Sequence, residues 1–185
     1  MSGEQEIVKE GQAEILFQKD QVFYNPIQEF NRDISIAAIN TFAEMYLKEL
    51  SEGAKRKTPH SKDGISILEG LSATGLRSIR FAKEIPLAKK IVANDFDKAA
   101  VEAIENNIKH NKVEETVQTS HGDASFVMFK HASEGKKFDV IDLVQKAPLS
   151  LRLTLRTRMD LRRHLLMLLS RLSLMEVFSV SLAPI

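Results

Sequence analysis

Three acidic residues stand where short apolar runs end. Glu69 follows Ile65-Ser-Ile-Leu68, Asp95 follows Lys90-Ile-Val-Ala-Asn94, and Asp123 follows Thr116-Val-Gln-Thr-Ser120 after a two-residue step. A carboxylate accepts hydrogen bonds through two oxygens, so an acid at a strand tip suits the paired hydroxyls of a ribose or the amino group of a purine. Asp95 fits the ribose role, and Asp123 with Ala124 fits the adenine role, with Ala124 as a small wall beside the ring. Between Glu69 and Asp95 lies Ser72-Ala-Thr-Gly75, whose small residues let a ligand approach backbone amides at a helix start. Together these groups describe a nucleoside pocket. Singly, each has a plainer reading: Asp95 could start a helix, Asp123 could cap one, and Gly75 could be turn punctuation.

The elements that must position these groups alternate. Apolar residues Ile34, Ala37, Ala38, Phe42, Met45 and Leu50 recur at helical spacing from Asp33 to Leu50, with Asp33 placed as the N-cap. Ile65–Leu68 is short and rich in Ile and Leu, as a buried parallel strand is. The small-residue turn then opens a helix that runs to about Glu84, and Pro86 stops it. A second strand at 90–94 precedes a helix over 98–110, capped by Asp97, with Val101, Ile104 and Ile108 as one stripe. Residues 116–120 form a third strand and Phe138–Leu143 a fourth. Strands alternating with helices predict an α/β, Rossmann-like parallel sheet behind an N-terminal segment (1–64) that carries the leading helix.

At 185 residues the chain has the length of one domain, and without Cys it has neither a disulfide scaffold nor a thiolate metal site; no metal is expected. The acidic N-terminus lacks an apolar signal region, which predicts an intracellular protein. Residues 144–185 carry seven basic and two acidic side chains, a net of +5 that leaves −4 for the rest of the chain. All eight glycines lie at or before Gly135. The composition therefore changes abruptly after Leu143. The tail's Leu165, Leu166, Leu168, Leu169 and Leu172, with Arg162, Arg163 and Arg171, read alternatively as a basic amphipathic helix for a membrane surface or partner. No uncharged apolar run is long enough to span a membrane.

The segments Glu10-Gly-Gln-Ala-Glu-Ile, Val22-Phe-Tyr-Asn-Pro26, Asn31-Arg-Asp33, Leu71-Ser-Ala-Thr-Gly-Leu-Arg-Ser-Ile-Arg80, Ala93-Asn-Asp95 and Gly122-Asp-Ala124 resemble the family that dimethylates N2 of guanine 26 in tRNA. They occur in that family's order across residues 10–143. The resemblance implies a methyltransferase sheet that takes S-adenosylmethionine as cofactor and tRNA as partner. It implies that Arg32 and Arg77 contact the cofactor, that Asp95 holds its ribose, and that Asp123 and Ala124 line the adenine; Glu69 and Gly75 complete the set. Guanidinium groups suit the cofactor's carboxylate. Arg80 is expected on a solvated helix face. A dinucleotide oxidoreductase is disfavoured because no Gly-x-Gly-x-x-Gly follows the first strand.

The resemblance breaks after the fourth strand. The family continues there as Asp-Leu-Asp-Pro-Tyr/Phe-Gly, a turn whose aspartate serves the attacking N2, whereas in this chain Asp142-Leu143 is followed by Val144-Gln-Lys-Ala-Pro148. Residues Arg156–Arg163 can be encoded by nucleotides that, read from the last base of the Arg156 codon, give Asp-Pro-Tyr-Gly-Ser-Pro-Ala. On that reading, 65–143 is a partial methyltransferase domain of four strands, and 144–185 is intron-derived or out-of-frame sequence. The expected protein is an inactive fragment with an unpaired apolar edge on the fourth strand and poor solubility. The alternative is a non-catalytic protein that binds S-adenosylmethionine or tRNA.

Overall fold

The computed structural model describes residues 5–18, 24–53, 63–143 and 153–155. Two sheets organise them. The smaller is an antiparallel hairpin of β1 (Gln5–Glu10) and β2 (Ala13–Gln18), turned at Gly11-Gln12. Gly11 has a φ of +53°, and a side chain there would collide with Arg80 and Glu84, so the turn docks directly on the helix that carries them. A 3-10 turn at Pro26–Gln28 leads into α1 (Glu29–Ser51).

The larger sheet follows as β3 (Ile65–Glu69), α2 (Leu76–Glu84), β4 (Ala88–Asp95), α3 (Lys98–Asn111), β5 (Val117–His121), α4 (Ala124–Ser133), β6 (Val140–Asp142) and β7 (Leu153–Leu155). Its strand order is β5-β4-β3-β6-β7, parallel except for the β6–β7 pair. From β3 the chain steps outward to β4 and β5, then returns to the other side of β3, so the order reverses between β3 and β6. In open α/β sheets that reversal leaves a crevice at the carboxyl ends of the two flanking strands.

Strand alternation divides the core. Ile67, Ile91, Ala93, Val117 and Val140 face α1, α2, α3 and the hairpin, burying Ile39, Phe42, Ile79, Phe81, Ile104 and Ile15. Leu68 and Val92 point to the other face and meet Val127 and Phe138. The predicted stripe Val101, Ile104 and Ile108 is buried, and Asp97 caps α3 by accepting from the Ala99 amide at 2.9 Å.

Three expectations are corrected. Asp33 does not cap α1, which starts four residues earlier; it lies inside the first turns and its carboxylate pairs with Arg80 at 2.7 Å. Nor does Arg80 lie on a solvated face: it is buried against Glu10, Asp33 and Glu84 because the hairpin covers that side of α2. The edge of β6 is not open, since β7 pairs with it over three residues. The out-of-frame reading of Arg156–Arg163 and the amphipathic reading of 162–172 fall outside the described residues. Among those described, no helix is long and apolar enough to cross a membrane, and no three His, Asp or Glu residues cluster as metal ligands.

Candidate functional site: a laced strand-tip crevice

The polar loops after β3, β4, β5 and β6 are tied to one another by backbone and amide groups. The Gly70 amide donates to the Asp142 carbonyl at 2.9 Å, Ser72 to Asn94 at 2.9 Å, and Gly122 to Asp95 at 3.0 Å. The fully buried Asn94 donates from Nδ2 to both the Gly70 and Gly122 carbonyls, at 3.0 and 2.9 Å, and so clasps the tips on either side of β4. Asn107 of α3 supports the same loop by donating to the Thr74 carbonyl at 3.0 Å while accepting from the Leu16 amide of β2 at 2.8 Å.

The β3–α2 loop turns through two left-handed residues, Ala73 (φ +49°) and Gly75 (φ +77°). Gly75 is the residue before α2, and a Cβ there would meet Ile104 at 3.1 Å. The loop therefore needs glycine for conformation as well as for room. Asp95 closes it from the side. Its Oδ2 accepts from the Ala73 amide at 2.8 Å and its Oδ1 from the Asp97 amide at 3.0 Å, leaving lone pairs on both oxygens of a half-buried carboxylate. Asp123 takes the plain role as well: its Oδ1 caps α4 by accepting from the Phe126 amide at 3.0 Å. Ala124 lies beside Gly70, with its Cβ 3.3 Å from where a Gly70 side chain would begin. Phe96 and Phe126, near these two acids in the chain, are 72% and 67% exposed.

The electrostatic centre sits at the strand-order reversal. Glu69 and Asp142 are register partners on β3 and β6, both buried and both facing α2. A single guanidinium, Arg77, serves them. Its Nη1 is 3.2 Å from Asp142 Oδ2, its Nε is 3.9 Å from Glu69 Oε1, and it donates to Ser35 Oγ of α1 at 2.9 Å. Glu69 Oε2 also accepts from the Ser78 amide at 3.1 Å and from the Ser78 hydroxyl at 2.5 Å. Among the described residues, the Asp142 oxygens have no polar partner other than the Arg77 guanidinium. Burial, opposed by Arg77 and reinforced by the Asp142 charge, pushes the Glu69 carboxyl up to about 7. Burial also raises Asp142, more than Arg77 lowers it.

Glu69, Gly75, Arg77, Asp95, Asp123 and Ala124 thus converge on the laced tips. Arg32 is held apart from them. Its Nε donates to Glu10 Oε1 at 2.6 Å, its Nη2 reaches Glu10 Oε2 and the Asn25 carbonyl, and its guanidinium lies 5.6 Å from the Tyr24 ring centre. It sits one helical turn before Ser35, the residue that touches Arg77. Sequence patterns alone did not single out Asn94, Asn107 or Glu10 as site residues. The polar Asn94 at the end of an apolar strand was a local signal, whereas the partners of the other two are distant in sequence.

Parallel strands in this order, a tight loop after β3 and acids at the next two tips define a Rossmann-like methyltransferase sheet. Among solved structures the chain is similar to Trm1 from Pyrococcus horikoshii in complex with S-adenosyl-L-methionine, with a TM-score of 0.58 and 31% identity over 77% of this chain and 36% of that one. It also shares its fold with TYW2 of M. jannaschii, with a TM-score of 0.53 and 16% identity over 77% of this chain and 63% of that one.

The chain belongs to the N2,N2-dimethylguanosine tRNA methyltransferase family, whose profile matches residues 3–144. It is 44% identical to the tRNA (guanine(26)-N(2))-dimethyltransferase of Drosophila melanogaster over 162 residues, covering 74% of this chain and 28% of the relative. It is 40% identical over 169 residues to the mitochondrial enzyme of that name from Saccharomyces cerevisiae, covering 74% of this chain and 30% of the relative. The chain therefore spans less than a third of the length of these two relatives.

Proposed function

We propose that this chain binds S-adenosylmethionine at the tips of β3, β4 and β5, and that its family activity is methylation of N2 of guanine 26 in tRNA. The lacing of the tips is the observation that carries this reading, because Asn94 and Asp95 fix three loops around one crevice and hold it ready for a ligand. Asp95 receives the ribose hydroxyls on its remaining lone pairs. Asp123 takes the adenine amino group, Ala124 leaves room beside the ring, and the loop through Gly75 lies against the sulfur side. The family resemblance assigns Arg32 to the cofactor's carboxylate, whereas here its guanidinium is taken up by Glu10 and the Asn25 carbonyl; Glu69 and Arg77 border the methionine half. When bound, the cofactor supplies an electrophilic methyl group. A transfer to N2 also needs an acceptor for the amine proton within hydrogen-bond reach.

The segment after β6 lacks the family's Asp-Pro-Tyr/Phe-Gly turn, so this chain binds the cofactor without transferring its methyl group. A tRNA substrate implies action inside the cell. Calorimetric titration with S-adenosylmethionine tests the pocket: saturable binding is expected, with affinity at least about tenfold weaker in Asp95→Ala, the loss of about 1.4 kcal/mol. The absence of binding would overturn the reading. Incubation with labelled cofactor and tRNA bearing guanine 26 tests the second half, and incorporation of label would refute the proposed inactivity. Transcript reads across the Leu143 codon decide whether the tail is coded in a continuous exon.

A further inference from the structure

Asn107 of α3 is fully buried, and its one carboxamide is used on two sides. Its Oδ1 accepts from the Leu16 amide of β2 at 2.8 Å, and its Nδ2 donates to the Thr74 carbonyl of the β3–α2 loop at 3.0 Å. A carboxamide is planar, with one accepting end and one donating end. Turned over, it would set oxygen against the Thr74 carbonyl and N–H against the Leu16 N–H. The hairpin amide therefore selects the orientation in which Asn107 can hold the loop.

The helix between the hairpin and the loop is placed to relay this. Ile104 lies 3.1 Å from where a Gly75 side chain would begin, so α3 meets the loop at positions 104 and 107, neighbours on one helix face. One turn further on, Asn111 takes β2 a second time. Its Oδ1 accepts from the Glu14 amide at 3.0 Å, and its Nδ2 donates to the Glu14 and Asn107 carbonyls at 2.6 and 2.8 Å. Its described partners lie on the hairpin, on α3 and, through Lys83, on α2, with none in the loop. Resting on the proposed cofactor pocket, we infer that Asn107 is a positioning residue that couples the docking of the N-terminal hairpin to the shape of the β3–α2 loop. A hairpin held less firmly then binds the cofactor less tightly, and by linkage a bound cofactor holds the hairpin more firmly. Asn107 acts through the Thr74 carbonyl rather than by touching the ligand.

Calorimetric titration of the full chain with S-adenosylhomocysteine, at a temperature where every variant is folded, tests the link. Asn107→Asp keeps the size of the side chain and the acceptor for Leu16 but sets an oxygen against the Thr74 carbonyl. Its affinity is expected to fall about tenfold. Asn111→Ala loosens the hairpin without touching the loop. It is expected to weaken binding about threefold in the wild-type background and less than about 1.5-fold in Asn107→Asp, where the link is already cut. Asn107→Ser takes the place of Asn107→Asp should the latter lose its thermal transition. Undiminished affinity in Asn107→Asp overturns the inference. So does an Asn111→Ala effect that is absent in the wild-type background or equally large in both, the second being the pattern of a purely structural role. Failure of the wild type to bind S-adenosylhomocysteine instead removes the nucleoside pocket itself, and the inference with it.

Discussion

Two buried ionic clusters lie on the same helix, one turn apart, and they are built oppositely. Around Arg80, every charge has partners. Glu10 accepts from Arg32, Arg80 and Tyr24, and Arg80 also meets Glu84 and Asp33 at 2.8 and 2.7 Å. Burial raises the Glu10 carboxyl, but the two guanidinium groups outweigh it and hold it below the usual range; Glu84 is lowered in the same way. Around Arg77 the balance reverses, with Glu69 and Asp142 both raised because one guanidinium cannot offset their desolvation. A satisfied cluster joins elements together, whereas an under-neutralised one keeps buried charge that answers to pH.

The largest effect expected from this contrast is in Glu10→Ala. It leaves two buried guanidinium groups without their common carboxylate and should cost about 3 to 5 kcal/mol, read by urea denaturation. A loss below about 1 kcal/mol would show that the hairpin cluster is not a fastening.

The pH dependence comes next. Glu69 has a folded value near 7 against an ordinary value of 4.5, so its protonated form favours the native state. That contribution is complete below about 4.5 and declines as pH rises toward 7, by at most about 3 kcal/mol. The groups facing Glu69 are Arg77 and Ser78 on α2, Ser72 in the loop and Asp142 on β6. Glu10 and Glu84 act with the opposite sign, since their stabilisation is lost as pH falls below about 4.5. Thermal melts across pH 4 to 8 should therefore show a decline with rising pH that Glu69→Gln reduces, Asp142 supplying a remainder of the same sign; an unchanged profile in that variant would mean that Glu69 is not a source.

Smaller again is Arg80→Lys, which keeps the charge but loses the fork that reaches Glu10, Glu84 and Asp33 together. About 1 to 2 kcal/mol of destabilisation is expected by the same denaturation. The smallest effect belongs to Asp142→Asn in the ligand-free chain. Removal of an under-neutralised charge offsets the lost ion pair, so a change of less than about 1 kcal/mol is expected. A loss as large as that of Glu10→Ala would erase the distinction between the clusters.

The alternating elements were legible because their determinants are local. Ile65–Leu68 and the stripe Val101, Ile104 and Ile108 declare themselves within a few residues, and Asp97 needs only the Ala99 amide to act as a cap. The acids at the strand tips were legible for the same reason. The hairpin was not: Gln5–Glu10 is short and mostly polar, and its stability comes from partners such as Arg80 and Asn107, 70 and 91 positions away in the relevant bonds. The start of α1 was misplaced because Asp33 has the side chain of an N-cap, yet its partner is Arg80 rather than a helix amide. The unequal charge balance around Arg77 was equally invisible, since it depends on β6 lying next to β3.

Asn107 and Asn111 receive the backbone of β2 through the Leu16 and Glu14 amides, across separations of 91 and 97 residues. During synthesis the hairpin emerges first, and at about 5 to 20 residues per second it waits roughly 5 to 20 s for those side chains to leave the ribosome. For that interval β2 has an open outer edge, and the hairpin is most exposed to mispairing before α3 is complete.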